Sequence, residues 1–217
     1  MRDKAHFLLF IFFVSLIGGC NTKTEKTASV PAVSSQKKGG VSVTRASGGS
    51  IQIPLRLGGP LNKGSSLSRE WITFHDASLP ADLVGTVGFK TEGYLSLERG
   101  VVCTYTAEYS INAKEPLSAI EVRFLSFDVW GGHQRSFSET HVQDIKAGEQ
   151  TSFSLSWDLS PSENEAKEFY ASIAYITRVR TQSGHIVEAD PSPVLEEAQK
   201  FYKKFTIEDL EPKPEKK

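Results

Sequence analysis

Between residues 101 and 111 the chain alternates with period 2: Val101, Cys103, Tyr105, Ala107, Tyr109 and Ile111 are separated by Val102, Thr104, Thr106, Glu108 and Ser110. Successive side chains of an extended backbone point to opposite faces, so this run reads as a half-buried β-strand. The same alternation recurs in Phe153, Leu155, Trp157 and Leu159, and in Phe169, Ala171, Ile173, Tyr175 and Val179. Shorter candidates lie at 71–75, 83–89, 134–141 and 184–189. Turn-forming stretches divide them, among them Asn112 to Pro116, Gly131-Gly132, Ala147-Gly148 and Ser183-Gly184. Seven or eight such strands in about 120 residues, with no helical segment between them, predict an all-β fold, an antiparallel β-sandwich. In residues 119–130 the apolar phase slips. Ile120, Val122 and Phe124 share one parity, and Leu125, Phe127 and Val129 the other. Either a β-bulge re-aims the strand or a central strand is covered on both faces; the bulge is the preferred expectation.

Composition sets a boundary near residue 70. From Asn21 to Arg69 there is no aromatic residue, and Ser, Thr, Lys and Gly dominate. Such a segment buries too little apolar area to offset its ordering entropy, and it is expected to be a flexible tether. Within it Ile51, Ile53, Leu55 and Leu57 alternate with Gln52, Pro54 and Arg56; the proline disfavours a regular strand, leaving a loosely docked segment as the simpler reading. Downstream, Ser192-Pro193 is expected to cap and begin a helix. Val194, Leu195, Ala198, Phe201, Tyr202 and Phe205 form its apolar stripe, which docks on its own domain.

The N-terminus points to export. Arg2 and Lys4 precede an uncharged apolar run from Phe7 to Ile17, the order of a secretory signal. A membrane-spanning helix needs about 20 apolar residues, so this run is too short to remain as an anchor. Leu16-Ile17-Gly18-Gly19-Cys20 resembles the lipobox of bacterial lipoproteins. The resemblance implies cleavage before Cys20, a thioether-linked diacylglycerol on its sulfur and usually an N-acyl chain, which together hold a protein at a membrane almost permanently. Asn21 follows the cysteine instead of the aspartate that favours inner-membrane retention, so the outer membrane is favoured in a Gram-negative source. The organisation expected is therefore a signal peptide at 1–19, lipidated Cys20 and tether at 20–69, a sandwich at 70–190, and a helix with a charged tail at 191–217.

Phe124-Leu125-Ser126-Phe127-Asp128, followed by Gly131-Gly132, resembles the F-x-L-Y-D signature of small immunoglobulin-like domains in bacterial surface lipoproteins. Phe124 and Asp128 match it, Phe127 stands where tyrosine is usual, and Ser126 replaces leucine. The resemblance implies an immunoglobulin-type sandwich and no catalytic residues.

Chemistry-bearing motifs are absent from the sequence: no H-E-x-x-H, no C-x-x-C pair, no G-x-S-x-G elbow and no phosphate-cradling glycine loop. The chain is expected to be no enzyme and to hold no cofactor and no metal. With 25 basic and 26 acidic side chains it has a formal net charge of −1, which gives no field for nucleic acid. Two places are candidates for binding. Trp130 opens onto Gly131-Gly132 with His133 beside it; the tryptophan either folds into the core or stands out as a contact residue. Arg123, on a strand with Glu121, and Arg178 and Arg180, on the penultimate strand, fall on faces that become neighbours in such a sandwich. Membrane attachment through Cys20 and a second envelope protein are the partners expected, so the function read from the sequence is a protein-interaction or assembly module. A module binding polysaccharide or peptidoglycan is the alternative, and an enzyme comes third.

Overall fold

The computed structural model describes residues 34–38, 40–48, 52–54, 61–63, 69–96, 100–159, 165 and 168–213. In chain order the strands are β1 (Ser34–Lys38), β2 (Val41–Gly48), β3 (Gln52–Pro54), β4 (Leu61–Lys63), β5 (Arg69–Asp76), β6 (Ala81–Leu83), β7 (Lys90–Ser96), β8 (Gly100–Ala113), β9 (Leu117–Asp128), β10 (His133–Ile145), β11 (Gln150–Leu159), β12 (Phe169–Thr181) and β13 (Ile186–Glu188). Helix α1 (Ser192–Phe201) and a 3-10 turn (Ile207–Leu210) follow.

These strands form the two sheets of an all-β sandwich. The first runs β1-β2-β5-β12-β9-β10, with β13 extending the β5 side of β12; the second runs β11-β8-β7-β3-β4, with β6 on β8. Pairing is antiparallel except between β12 and β5 and between β3 and β7. The strands outnumber the expected seven or eight, mainly because the presumed tether contributes some. Residues 41–48 pair along their length with β5, Val43 opposite Phe74, and 52–54 join the second sheet as β3. The flexible-tether reading of 20–69 is corrected for these segments: backbone pairing with an existing strand orders them despite their few apolar side chains.

Two cores lie on the two sides of the first sheet. Between the sheets, Cys103, Tyr105, Ala107, Tyr109 and Ile111 of β8 meet Ile120, Val122 and Phe124 of β9. This is the face that the parity of 101–111 predicts. On the outer side, Leu125 and Phe127 of β9, Ala171, Ile173 and Tyr175 of β12, and Ile72 and Phe74 of β5 are covered by Val194 and Ala198 of α1, and by Phe205 and Leu210. Each large apolar side chain buried in this way contributes about 1.5–3 kcal/mol, so the helix is part of the domain and not an appendage.

Strand β9 is therefore apolar on both faces, and the bulge expected within it is corrected. Its register with β10 is continuous from Ser126 to Ala119, and its two parities feed two different cores. Opposite residues 119–128 the irregularities fall on its neighbours instead, on β12 between Phe169 and Ala171 and between Ile176 and Arg178, and on β10 between His133 and Arg135. Phe169 and Val179 face the inner core, whereas Ala171, Ile173 and Tyr175 face the outer one.

The strand expected at 83–89 is also corrected. β6 stops at Leu83, and Gly85 turns the chain at φ +71°. At Val87 the backbone N–H donates to Thr73 Oγ1 at 2.7 Å, and that hydroxyl donates to the Val87 carbonyl at 3.2 Å, so a side chain replaces the strand partner. Gly88 passes so close to Trp71 that a Cβ there would lie 2.1 Å from the ring. At the helix, Pro191 and not Ser192 is the N-cap, while Asp190 Oδ1 accepts the Ser192 N–H at 2.9 Å. The helix ends at Phe201, and Phe205 reaches the outer core from the turn beyond it.

Candidate functional site

Trp130 sits on the β9–β10 turn, and the turn is built to present it. Asp128 Oδ1 accepts the N–H of Trp130 at 2.8 Å and that of Gly132 at 2.7 Å, while the Asp128 N–H donates to the Gly132 carbonyl at 2.9 Å. Gly131 adopts φ +79°, where a Cβ would also meet the Phe201 carbonyl at 2.8 Å. The backbone is thus held by one carboxylate oxygen that accepts two N–H groups of the turn, and any larger residue at 131 would strain it. Trp130 is 80% exposed, and neighbouring Val129 is exposed as well. Of the two placements open from sequence, core or surface, the ring takes the surface one.

His133, paired with Trp130 as a binding candidate, turns inward. Its Nε2 lies 3.0 Å from Ser136 Oγ, and its ring packs edge-on against Phe205 at 4.8 Å and tilted against Phe127 at 5.6 Å. Burial pushes its pKa below the usual histidine value. Ser136 and Phe127 are near in sequence, but Phe205 comes from beyond the helix, a distance no local pattern reveals.

The arginine face forms where expected. The β9–β12 register sets Arg178 opposite Glu121 and Tyr175 opposite Arg123. Glu121 sits between the two arginines: Arg123 Nε donates to it at 2.9 Å and Arg178 Nε at 2.6 Å. Arg123 Nη1 reaches Glu211 Oε1 at 2.7 Å. Above them lies a cleft of about 300 Å³, lined in part by Arg123, Tyr175, Arg178, Glu188 and Glu211. Burial pushes the Tyr175 hydroxyl up to about 12 despite the Arg123 charge. Arg180, two residues from Arg178, is exposed near the end of the strand. With Glu121, Glu188 and Glu211 set against Arg123 and Arg178, the cleft carries no excess of positive charge, which weakens the case for an anionic ligand.

The remaining described histidines are dispersed. His75 Nε2 contacts Thr44 Oγ1 at 2.9 Å, and His141 contacts the Tyr109 hydroxyl at 2.6 Å while stacking on Phe153 at 3.7 Å. Burial lowers the pKa of both. Among the described residues no three His, Cys, Asp or Glu side chains converge on a metal position. Cys20 lies outside the described residues.

Two elements of the site escaped the sequence reading. One is the role of Asp128 in building the turn, for which an aspartate four residues before a glycine was the available sign. The other is a groove beside α1, whose residues come from three separate stretches, 40–43, 74–78 and 188–200.

No protein-family model matches the chain, and no curated protein matches it. A solved structure of a hypothetical protein from Peptoclostridium difficile 630 is similar over 57% of this chain and 91% of that chain, with 7% identity and a TM-score of 0.37.

Proposed function

We propose that this chain is a lipid-anchored, non-catalytic β-sandwich of a bacterial cell envelope whose Trp130 turn docks another envelope protein. The observation that carries this reading is a tryptophan 80% exposed on a turn braced by Asp128 and two glycines. Leaving so large an apolar ring in water lowers stability relative to burial, and bracing its backbone reduces the entropy lost when a partner covers it. The signal-like N-terminus and the lipobox resemblance at Cys20 support attachment through lipid, and the F-x-L-Y-D resemblance supports membership among surface lipoprotein domains.

Cross-linking in native envelopes followed by pull-down is the test. Trp130→Ala is expected to reduce capture of the partner while leaving stability within about 0.5 kcal/mol, as for an exposed site. Unchanged capture would end the assignment. The same ring can stack on a sugar, which keeps peptidoglycan or polysaccharide binding as the second reading; retention of the wild type, but not of Trp130→Ala, on purified peptidoglycan would favour it. For the anchor, Cys20→Ser is expected to leave the precursor unlipidated and poorly processed. Wild-type protein that fractionates as soluble and lacks the mass of attached lipid would defeat that part.

A further inference from the structure

The helix covers only part of the outer face of the first sheet. It packs over β9, β12 and β5, but Val41 and Val43 of β2 stay half-exposed beyond it. Between them and the helix runs a groove of about 590 Å³. Val41, Val43 and Phe74 form its floor, with Val43 directly opposite Phe74 in register, and Pro193 and Glu197 of α1 form a wall. A volume of this size lies in the range that holds a ligand or a few peptide side chains.

The rim has the opposite character. Asp76, Glu188, Asp190, Glu196 and Glu197 line the groove, against a single lining cation, Lys200. Lys200 Nζ donates to Glu197 at 2.7 Å, and Arg45 donates to the same carboxylate at 2.5 Å, so these two cations are drawn to the helix wall. Asp76 and Asp190, at the mouth, accept from the neutral donors Ser78 and Ser192, which orient the carboxylates without cancelling their charge. Glu188 stands with them on β13, between this groove and the cleft that it shares with Arg178, its register partner on β12.

From this apolar floor and negative mouth we infer that the groove takes an extended, positively charged peptide segment of a partner protein, in which lysines or arginines flank a bulky apolar side chain. The apolar residue covers Val41, Val43 and Phe74, and the cations meet Asp76, Glu188 and Asp190. The charge complementarity selects the partner and speeds encounter, while the floor supplies the buried area. The site goes beyond the Trp130 turn and is independent of it.

The test uses the full chain in a neutral detergent and a fluorescent octapeptide that alternates lysine with leucine, followed by anisotropy. Binding is expected, weakening steeply with added salt. Two control peptides, glutamate in place of lysine and serine in place of leucine, are each expected to bind at least about tenfold more weakly, because each lacks one half of the complementarity. Glu188→Lys and Val43→Ser are expected to weaken the lysine–leucine peptide about tenfold at unchanged melting temperature, with Glu188→Gln intermediate. Trp130→Ala should leave this binding unaltered, so failure here and failure of the Trp130 reading are separable. Absence of binding, equal binding of either control peptide, or indifference to both Glu188→Lys and Val43→Ser would each overturn the inference.

Discussion

Phe89→Ala is expected to destabilise the protein by about 3–5 kcal/mol, a large share of the roughly 5–15 kcal/mol that holds an ordinary domain folded. Phe89 is only 1% exposed and lies at the centre of the inner core. Its ring stacks on Tyr105 at 4.7 Å and 8°, tilts against Phe124 at 5.2 Å, and meets Phe137, Trp157 and Phe169 edge-on at 5.3, 5.6 and 6.2 Å. These partners come from β8, β9, β10, β11 and β12, so one ring joins both sheets. Its removal opens a cavity that fixed strands cannot close, and aromatic pairs add about 0.5–1.5 kcal/mol each beyond buried area. Phe89 belongs to no strand; Gly85 and Gly88 thread its segment between the sheets, and its N–H donates to Ser172 Oγ at 3.3 Å. Phe89→Leu, which keeps most of the volume, should cost far less. Urea unfolding decides the matter: a loss below about 1 kcal/mol for Phe89→Ala would show that the core collapses around the site.

What could be read from sequence follows how locally each feature is determined. The strands at 101–111 and 153–159 were legible because one parity of each reaches solvent, at Glu108 on β8 and at Ser154, Ser156 and Asp158 on β11, which leaves their alternation intact. β2 carries the same alternation in Val41-Ser42-Val43-Thr44, but glycine- and serine-rich neighbours on both sides hide it in any compositional average. β12 misled for a different reason. Its odd-numbered apolar row looks continuous, yet two bulges divide it between two cores, and a bulge leaves no mark in composition. β9 showed both parities openly; the error was to explain them by a bulge when a helix encoded seventy residues downstream supplies the second cover. The candidate site divides in the same way. The turn at Trp130 was legible through its glycines, though the side to which the ring points was not, and the pairing of Arg178 with Glu121 was legible through parity and strand adjacency. The inward turn of His133 and the contact of Glu211 with Arg123 depend on the path of the chain after α1, which no local pattern specifies.

Glu121→Ala is expected to cost about 3–5 kcal/mol, the loss typical when one member of a buried ion pair is removed and its partner stays behind. Glu121 is 4% exposed. One carboxylate oxygen accepts from Arg123 Nε at 2.9 Å and from Ser138 Oγ at 3.1 Å, and the other accepts from Arg178 Nε at 2.6 Å. The two arginines do not lose equally, because the Arg123 side chain is 14% exposed and that of Arg178 is 58% exposed. Arg178 can return to water, whereas Arg123 is left under the tail with Glu211 as its remaining carboxylate. Burial by itself raises the Glu121 pKa, but the hydrogen bonds from Arg123 and Ser138 and the charges of both arginines prevail and bring it below its ordinary 4.5. A carboxylate with a depressed folded pKa contributes stability that is present above the unfolded value and disappears as pH falls through the folded one. The histidines act earlier. Burial lowers the pKa of His75, His133 and His141 from 6.5, so the unfolded chain binds protons first and stability begins to fall below about pH 6.5. Wild type and Glu121→Gln should share that first decline and the acid loss from Asp190, Glu208 and Asp209, whose pKa values are also lowered, and the wild type should lose more than the variant below about pH 4.5. Equal stability of the two at neutral pH, or a difference between them that persists undiminished to pH 3, would mean that the Arg123–Glu121–Arg178 cluster does not hold β9 and β12 together through its charge.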